Sequence, residues 1–360
     1  MSYPVKPGLN GTVSSQAVNI AAGSQIVVNN NATLYLYGTI NNAGTITDNG
    51  GANNTNILFN SSVVTLTGGG HITLAGGTGN DRLYEAQGNA QINNVDNIIS
   101  GGGQIGAGTA TYLTNGAAGV INATLAGGLA INLGGVQLVN AGLLEATGGN
   151  LTVANSVFNT GSIVANGGNV SIAGNVNGGG AETISGASLL DIGSSVGASA
   201  AQAVAFSTGS TGTFKIDNAQ SFNGTLAGLA TGRTLDLGNV AIGTATLSYA
   251  GTTSNGVLTV SDGNIVSNIK LVGNYTQVNF HLANDGSGHT DVTYSGTGML
   301  ATPLPGHNVA SFGTAQPYSQ VASLIQAMAG FDSSHSTALA GMQIANDTGA
   351  MHPMLAVAHG

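Results

Sequence analysis

The sequence predicts an all-β protein: a parallel β-solenoid with a β-rich C-terminal module and a short helical tail. Three observations carry this. First, a short word returns in phase. VNAGLLEATGGNLTVA and FNTGSIVANGGNVSIA align Asn140 with Asn159, Gly142 with Gly161, Leu144 with Ile163 and Gly148-Gly149-Asn150 with Gly167-Gly168-Asn169, at an offset of 19 residues. Second, apolar residues inside the word alternate, as in Leu144 and Ala146 or Leu151 and Val153. That is the period of a strand with one buried face. Third, 59 of the 360 residues are glycine, about twice ordinary usage. With Asn, glycine fills the gaps between strands, where positive φ is cheap.

Residues 1–204 are read as solenoid coils. Fainter copies of the word are AGVINAT, with Gly119, Ile121 and Ala123, and NAGTITDNGG, with Gly44 and Ile46. At roughly 20 residues a coil this stretch holds about 10 coils, stacked on the order of 50 Å at the spacing of paired strands. Corner residues such as Asn140 and Asn159 stand in phase for amide ladders. An antiparallel β-sandwich shares the short strands and frequent turns, and Asn-Gly pairs such as Asn115-Gly116 suit its hairpins. The in-phase 19-residue match favours coils.

Residues 205–298 form the C-terminal module, which either continues the solenoid or caps it. Leu258 and Val260 alternate before Ser261-Asp262-Gly263 and Ile265, the pattern of a hairpin or sharp corner. Residues 299–360 read as a linker followed by an amphipathic helix and a tail. Val321, Leu324, Ile325, Met328 and Phe331 fall at helical spacing after the candidate N-cap Ser319.

Composition excludes several functions. Without cysteine there is no disulfide or thiolate metal site. Five Lys plus Arg and a net charge of −9 argue against nucleic-acid binding. No stretch approaches the ~20 apolar residues of a membrane helix. MSYPVKPGLNG lacks the apolar core of a secretory signal, while the acidic, Asn/Thr-rich composition reads as extracellular.

The rungs NVDNIISGGGQIG, LTNGAAGVINAT and VNAGLLEATGGNLTVANSVFNTGSIVANGG resemble those of filamentous-haemagglutinin-type and RTX-like large repetitive surface proteins of proteobacteria. SFNGTLAGLATGRTLDLGNV, LTVSDGNIVSNIKLVGNYTQVNF and NDGSGHTDVTY are similar to the module near their C-termini, and SLIQAMAGF to their tails. The resemblance covers roughly residues 90–360. It implies a bacterial, extracellular β-helical protein of adhesion, biofilm matrix or surface layer. It also implies type I export through a C-terminal signal. This chain is far shorter than the large adhesins, so reach requires subunits joined end to end.

Gly76-Gly77-Thr78-Gly79-Asn80-Asp81-Arg82-Leu83 matches the calcium nonapeptide GGxGxDxL, making Gly77, Gly79 and Asp81 candidate calcium ligands. Such sites share ligands between adjacent turns, and only one good copy occurs; the alternative is a glycine-rich corner. Asp81, Glu85 and Asp96 with Arg82 are the densest charged group. They are the candidates for a monomeric carbohydrate-binding or polysaccharide-degrading β-helix, a reading secondary to a non-enzymatic one. Six of seven histidines lie at or after His281, with no ligand spacing.

Only 5% of residues are charged, so little repulsion opposes self-association. The expected function is a homopolymer, assembled head to tail by pairing of coil ends. The candidate assembly residues are Val18, Ile20, Ile26 and Val28 in the first coil and Leu324, Ile325 and Met328 in the tail. A surface or matrix polysaccharide is the other expected partner.

Overall fold

The computed structural model describes residues 2–5, 10–12, 18–77, 79–194 and 202–296, the first two segments as backbone strands only. The predicted tail helix, with Leu324, Ile325 and Met328, lies outside the described residues, as does the rest of 299–360.

The chain winds as a parallel β-solenoid whose coils have three faces. The first face starts with Ser2–Val5, Gln25–Asn29, Thr45–Asn49 and His71–Leu74 and continues through Ile98–Gly101, Val120–Ala123, Leu143–Ala146 and Ser162–Asn166. The second runs from Asn10–Thr12 through Thr33–Leu36, Thr55–Phe59 and Asp81–Glu85 to Thr234–Ala241. The third runs from Val18–Ile20 through Thr39–Asn42, Val63–Thr67, Gln91–Asn94, Tyr112–Asn115 and Leu138–Asn140 to Val157–Asn159. It ends where Val176 and Asn177, the far end of a long strand from the second face, pair with Val157 and Phe158.

The sequence word is the coil register. Leu144 pairs with Ile163, Ile121 with Leu144, and Asn140 with Asn159. Inward residues therefore stack as columns of like side chains. On the second face Leu34, Ile57, Leu83, Ile105, Ile131, Val153, Ile172, Ile192, Ile216 and Leu237 succeed one another in register. All are at most 1% exposed. Burying each such side chain stabilises by about 1.5–3 kcal/mol. Corners fix where the chain turns. Gly101 has φ +119°, and a Cβ there would fall 2.0 Å from the Leu74 carbonyl oxygen, so only glycine lets this coil lie on the one before it.

A second column is polar. Asn94 Nδ2 donates to Asn115 Oδ1 (2.9 Å), Asn115 Nδ2 to Asn140 Oδ1 (2.9 Å) and Asn140 Nδ2 to Asn159 Oδ1 (2.8 Å). All four asparagines are fully buried, and the amides also donate to carbonyls of neighbouring coils, such as Gly119 and Leu143. Each buried amide thus finds the partners that burial demands. The ladder ends at Glu182, whose Oε1 accepts from Asn159 Nδ2 at 2.8 Å.

Parallel coils run past residue 204. Ala203–Phe206, Thr213–Ile216, Thr225–Ala227 and Thr234–Ala241 extend the first and second faces. The pairing then reverses. On the first face Val266–Val272 joins parallel to Thr225–Ala227, and Asn255–Ser261 and Thr246–Gly251 follow antiparallel. The turn at Ser261-Asp262-Gly263 is the hairpin its residues predicted. On the second face His289–Tyr294 and Phe280–Asn284 are antiparallel too. Between these hairpins Tyr249, Tyr275, Phe280 and Tyr294 pack together, with ring centroids 4.8–6.1 Å apart. They close the interior of the last coils.

Candidate functional site

The glycine-rich loop delivers Asp81 to the corner where the second face begins. Its carboxylate points inward and is fully buried. Oδ1 accepts the Gly50 N–H at 2.8 Å. A Cβ at Gly76 would lie 2.5 Å from Asp81 Oδ2, so the absence of a side chain at Gly76 makes room for the carboxylate. Gly77 turns with φ +65°, and the Gly79 carbonyl accepts from Gln104 Nε2 at 2.7 Å.

Asp81 meets a residue that the motif does not contain. Asp48, on the first-face strand Thr45–Asn49, is also fully buried, and its Oδ2 accepts the Arg82 N–H at 3.2 Å. Burial, and then the neighbouring Asp81 carboxylate, push Asp48 up to about 8. At neutral pH Asp48 keeps its proton and hydrogen-bonds to Asp81. A second buried charge beside Asp81 would be repelled, which disfavours ionisation of Asp48. The corner therefore holds a proton through groups of its own. Among the described residues no cluster of three or more His, Asp or Glu is arranged to hold a metal ion.

The other charged candidates separate. Glu85 is buried, with Oε2 accepting from the N–H groups of Gln87 and Gly88. Arg82 points outward, its Nε donating to Asn56 and its guanidinium lying over the Tyr84 ring. Asp96 sits at a different corner, between the third and first faces, and accepts the Gly69 N–H. The structure does not bring Asp81, Glu85 and Asp96 to one surface.

Comparison with known protein families and with curated proteins finds no match to the chain.

The first-coil candidates are core residues. Val18, Ile20 and Val28 point inward and are buried, and Ile26 packs against them. What this end offers is backbone. Among the described residues, Ser2–Val5, Asn10–Thr12 and Val18–Ile20 each pair with a strand of the following coil and with nothing on the other side. At the opposite end the outermost strands among the described residues are Thr246–Gly251 on the first face and Phe280–Asn284 on the second. Both carry exposed residues, with Ser248, Ala250 and Ala283 in solvent.

Sequence reasoning missed Asp48 and Glu182. Each stands at a column position that neighbouring coils fill with aliphatic or small residues. Asp48 pairs with Val28 and Leu74, and Glu182 with Ile163 and Val204. Burial lifts Glu182 to about 8, and its Oε2 has no hydrogen-bond partner among the described residues. The one available signal was an acid standing in phase with aliphatic residues, visible only once the coil register is known.

Proposed function

We propose that the protein is an extracellular bacterial structural protein that joins copies end to end. The product is a filament or layer serving matrix, adhesion or coat. The observation that carries this reading is the pair of sheet edges at each end of the coil stack. The first and second faces both begin in a strand, Ser2–Val5 and Asn10–Thr12, whose outer edge has no partner among the described residues. Both end in an outermost strand, Thr246–Gly251 and Phe280–Asn284. Pairing the head of one copy with the tail of the next continues two sheets through one joint, the chemistry of strand addition. The aromatic cluster keeps the interior closed, so the joint is made by backbone hydrogen bonds. With 5% of its residues charged, and several of those buried, the chain adds little repulsion. The resemblance of the rungs to those of bacterial surface proteins supports the location and the use.

Lysine on an edge strand blocks pairing. The double variant Ser248→Lys, Ala283→Lys is expected to stay monomeric in sedimentation, with unchanged circular dichroism, while the parent grows with concentration into assemblies visible by electron microscopy. A parent chain that remains monomeric at every concentration sinks the reading, as does a double variant that polymerises normally.

A further inference from the structure

The outer surface of the third face presents side chains at a regular step. Along one line Val63, Gln91 and Tyr112 stand in register. Along the next stand Thr65, Asn93, Thr114, Val139 and Phe158. Successive members are one coil apart, roughly 4.8 Å, and the two lines are two residues apart along the strand, roughly 6.6 Å. A shallow groove of about 230 Å³ runs here, lined by Gln91, Asn93, Tyr112, Thr114, Gln137 and Val139.

Three features of this groove point to a ligand. Tyr112, in the groove wall, is 49% exposed, and Phe158, on the same face beyond the groove, is 42% exposed, so this one face presents two rings to solvent. The side chains of Gln91, Asn93, Thr114 and Gln137 make no hydrogen bond within the described residues. Elsewhere on the coils such groups pair with one another, as Asn41 does with Asn19 and Asn56 with Thr33, each at 3.0 Å. Finally, the outward residues of the third face from Thr39 to Phe158 include no charged side chain.

We propose that this groove binds a neutral, hydroxyl-rich polysaccharide, with Tyr112 as the stacking platform. The apolar face of a sugar ring lies flat on an aromatic ring. The hydroxyls at its rim take the carboxamides of Gln91, Asn93 and Gln137 and the hydroxyl of Thr114. Each of these groups can both donate and accept. Tyr112 and Phe158 are two coil steps apart, roughly 10 Å along the stack, a span comparable to a disaccharide. An acidic or basic polymer finds no counter-charge on this face. The site lies on the side of the coils, away from both end edges, and is independent of end-to-end joining.

Titration calorimetry of the full chain with cellohexaose, laminarihexaose, mannohexaose and xylohexaose tests this, with polygalacturonate as the anionic comparison. At least one neutral hexasaccharide is expected to bind. Tyr112→Ala is expected to weaken it at least tenfold, and Tyr112→Phe to keep most of the affinity because the ring remains. Circular dichroism of both variants should match the parent, since Tyr112 lies half in solvent. The proposal is overturned by any of four results: no binding of all four neutral sugars, equal affinity in Tyr112→Ala, tighter binding of polygalacturonate, or a Tyr112→Ala variant that loses lateral self-association while no sugar binds. The last would make the face a contact between copies.

Discussion

Asn140 shows how much one side chain carries in a stacked fold. It accepts from Asn115 and donates to Asn159, both through short, fully buried bonds. Replacing it with alanine removes both ladder bonds and its donations to the Gly142 and Ser162 carbonyls. It leaves those acceptors and Asn159 Oδ1 without this donor, while Asn115 Nδ2 keeps the Gly119 and Leu143 carbonyls. Unsatisfied buried groups cost about 1–3 kcal/mol each, so Asn140→Ala is expected to destabilise by about 2–4 kcal/mol, read as a lower urea midpoint. An unchanged midpoint would mean that water replaces the amide. This ladder was legible in the sequence, because Asn140 and Asn159 occupy the same place in a word repeated at 19 residues. Its terminus was not. Glu182 accepts from Asn159 across a coil step, and nothing local in AETIS marks it as buried rather than solvated.

At the scale of elements, the terminal hairpins replace parallel coils by antiparallel strands and fill the end of the interior with rings. Phe280 touches Tyr249, Tyr275 and Tyr294. Phe280→Ala should cost about 3–5 kcal/mol. In a fold where each coil contacts chiefly its neighbours, the damage stays near its source. Hydrogen exchange is expected to speed up in Thr234–Ala241 and Val266–Val272 and to stay unchanged in Thr33–Leu36. Uniform loss of protection would instead mark the chain as a single cooperative unit. The hairpin around Asp262 was legible from alternation and turn residues. The end of the third face at Val176 and Asn177 was not, because the single strand Val170–Asn177 serves two faces through a register shift between Ile172 and Asn175 and not through a turn.

The molecule as a whole has an uncommon charge balance. Burial raises Asp48 and Glu182 to about 8, and burial with nearby Asp291 raises Asp236 to about 6. These groups hold protons in the folded chain that the unfolded chain releases near pH 4. Between those values the native state binds more protons, so stability falls as pH rises, by about 1.4 kcal/mol per pH unit for each group. The half-buried Asp262 and Asp285 act the other way, held low chiefly by backbone N–H groups that bond their carboxylates, and their contribution is lost on stronger acidification. Thermal unfolding is therefore expected at a higher temperature at pH 5 than at pH 9. Glu182→Gln, which keeps an acceptor for Asn159, should narrow the gap. A protein more stable at pH 9 contradicts this assignment of protons.

The coil steps vary while the strand register of the first face does not. Leu143 reaches Ser162 in 19 residues, whereas His71 takes 27 to reach Ile98, and both close on the same first-face ladder. Surplus length is taken up at the corners. Length and interior are thereby largely uncoupled: duplication or loss of a whole turn keeps aliphatic columns such as Ile105, Ile131 and Val153 intact, and is costly only where coils exchange unlike groups, as at Asp48 and Glu182. Such a lineage can lengthen or shorten by replication slippage without redesigning its core, and corner insertions become a free site for new surface chemistry.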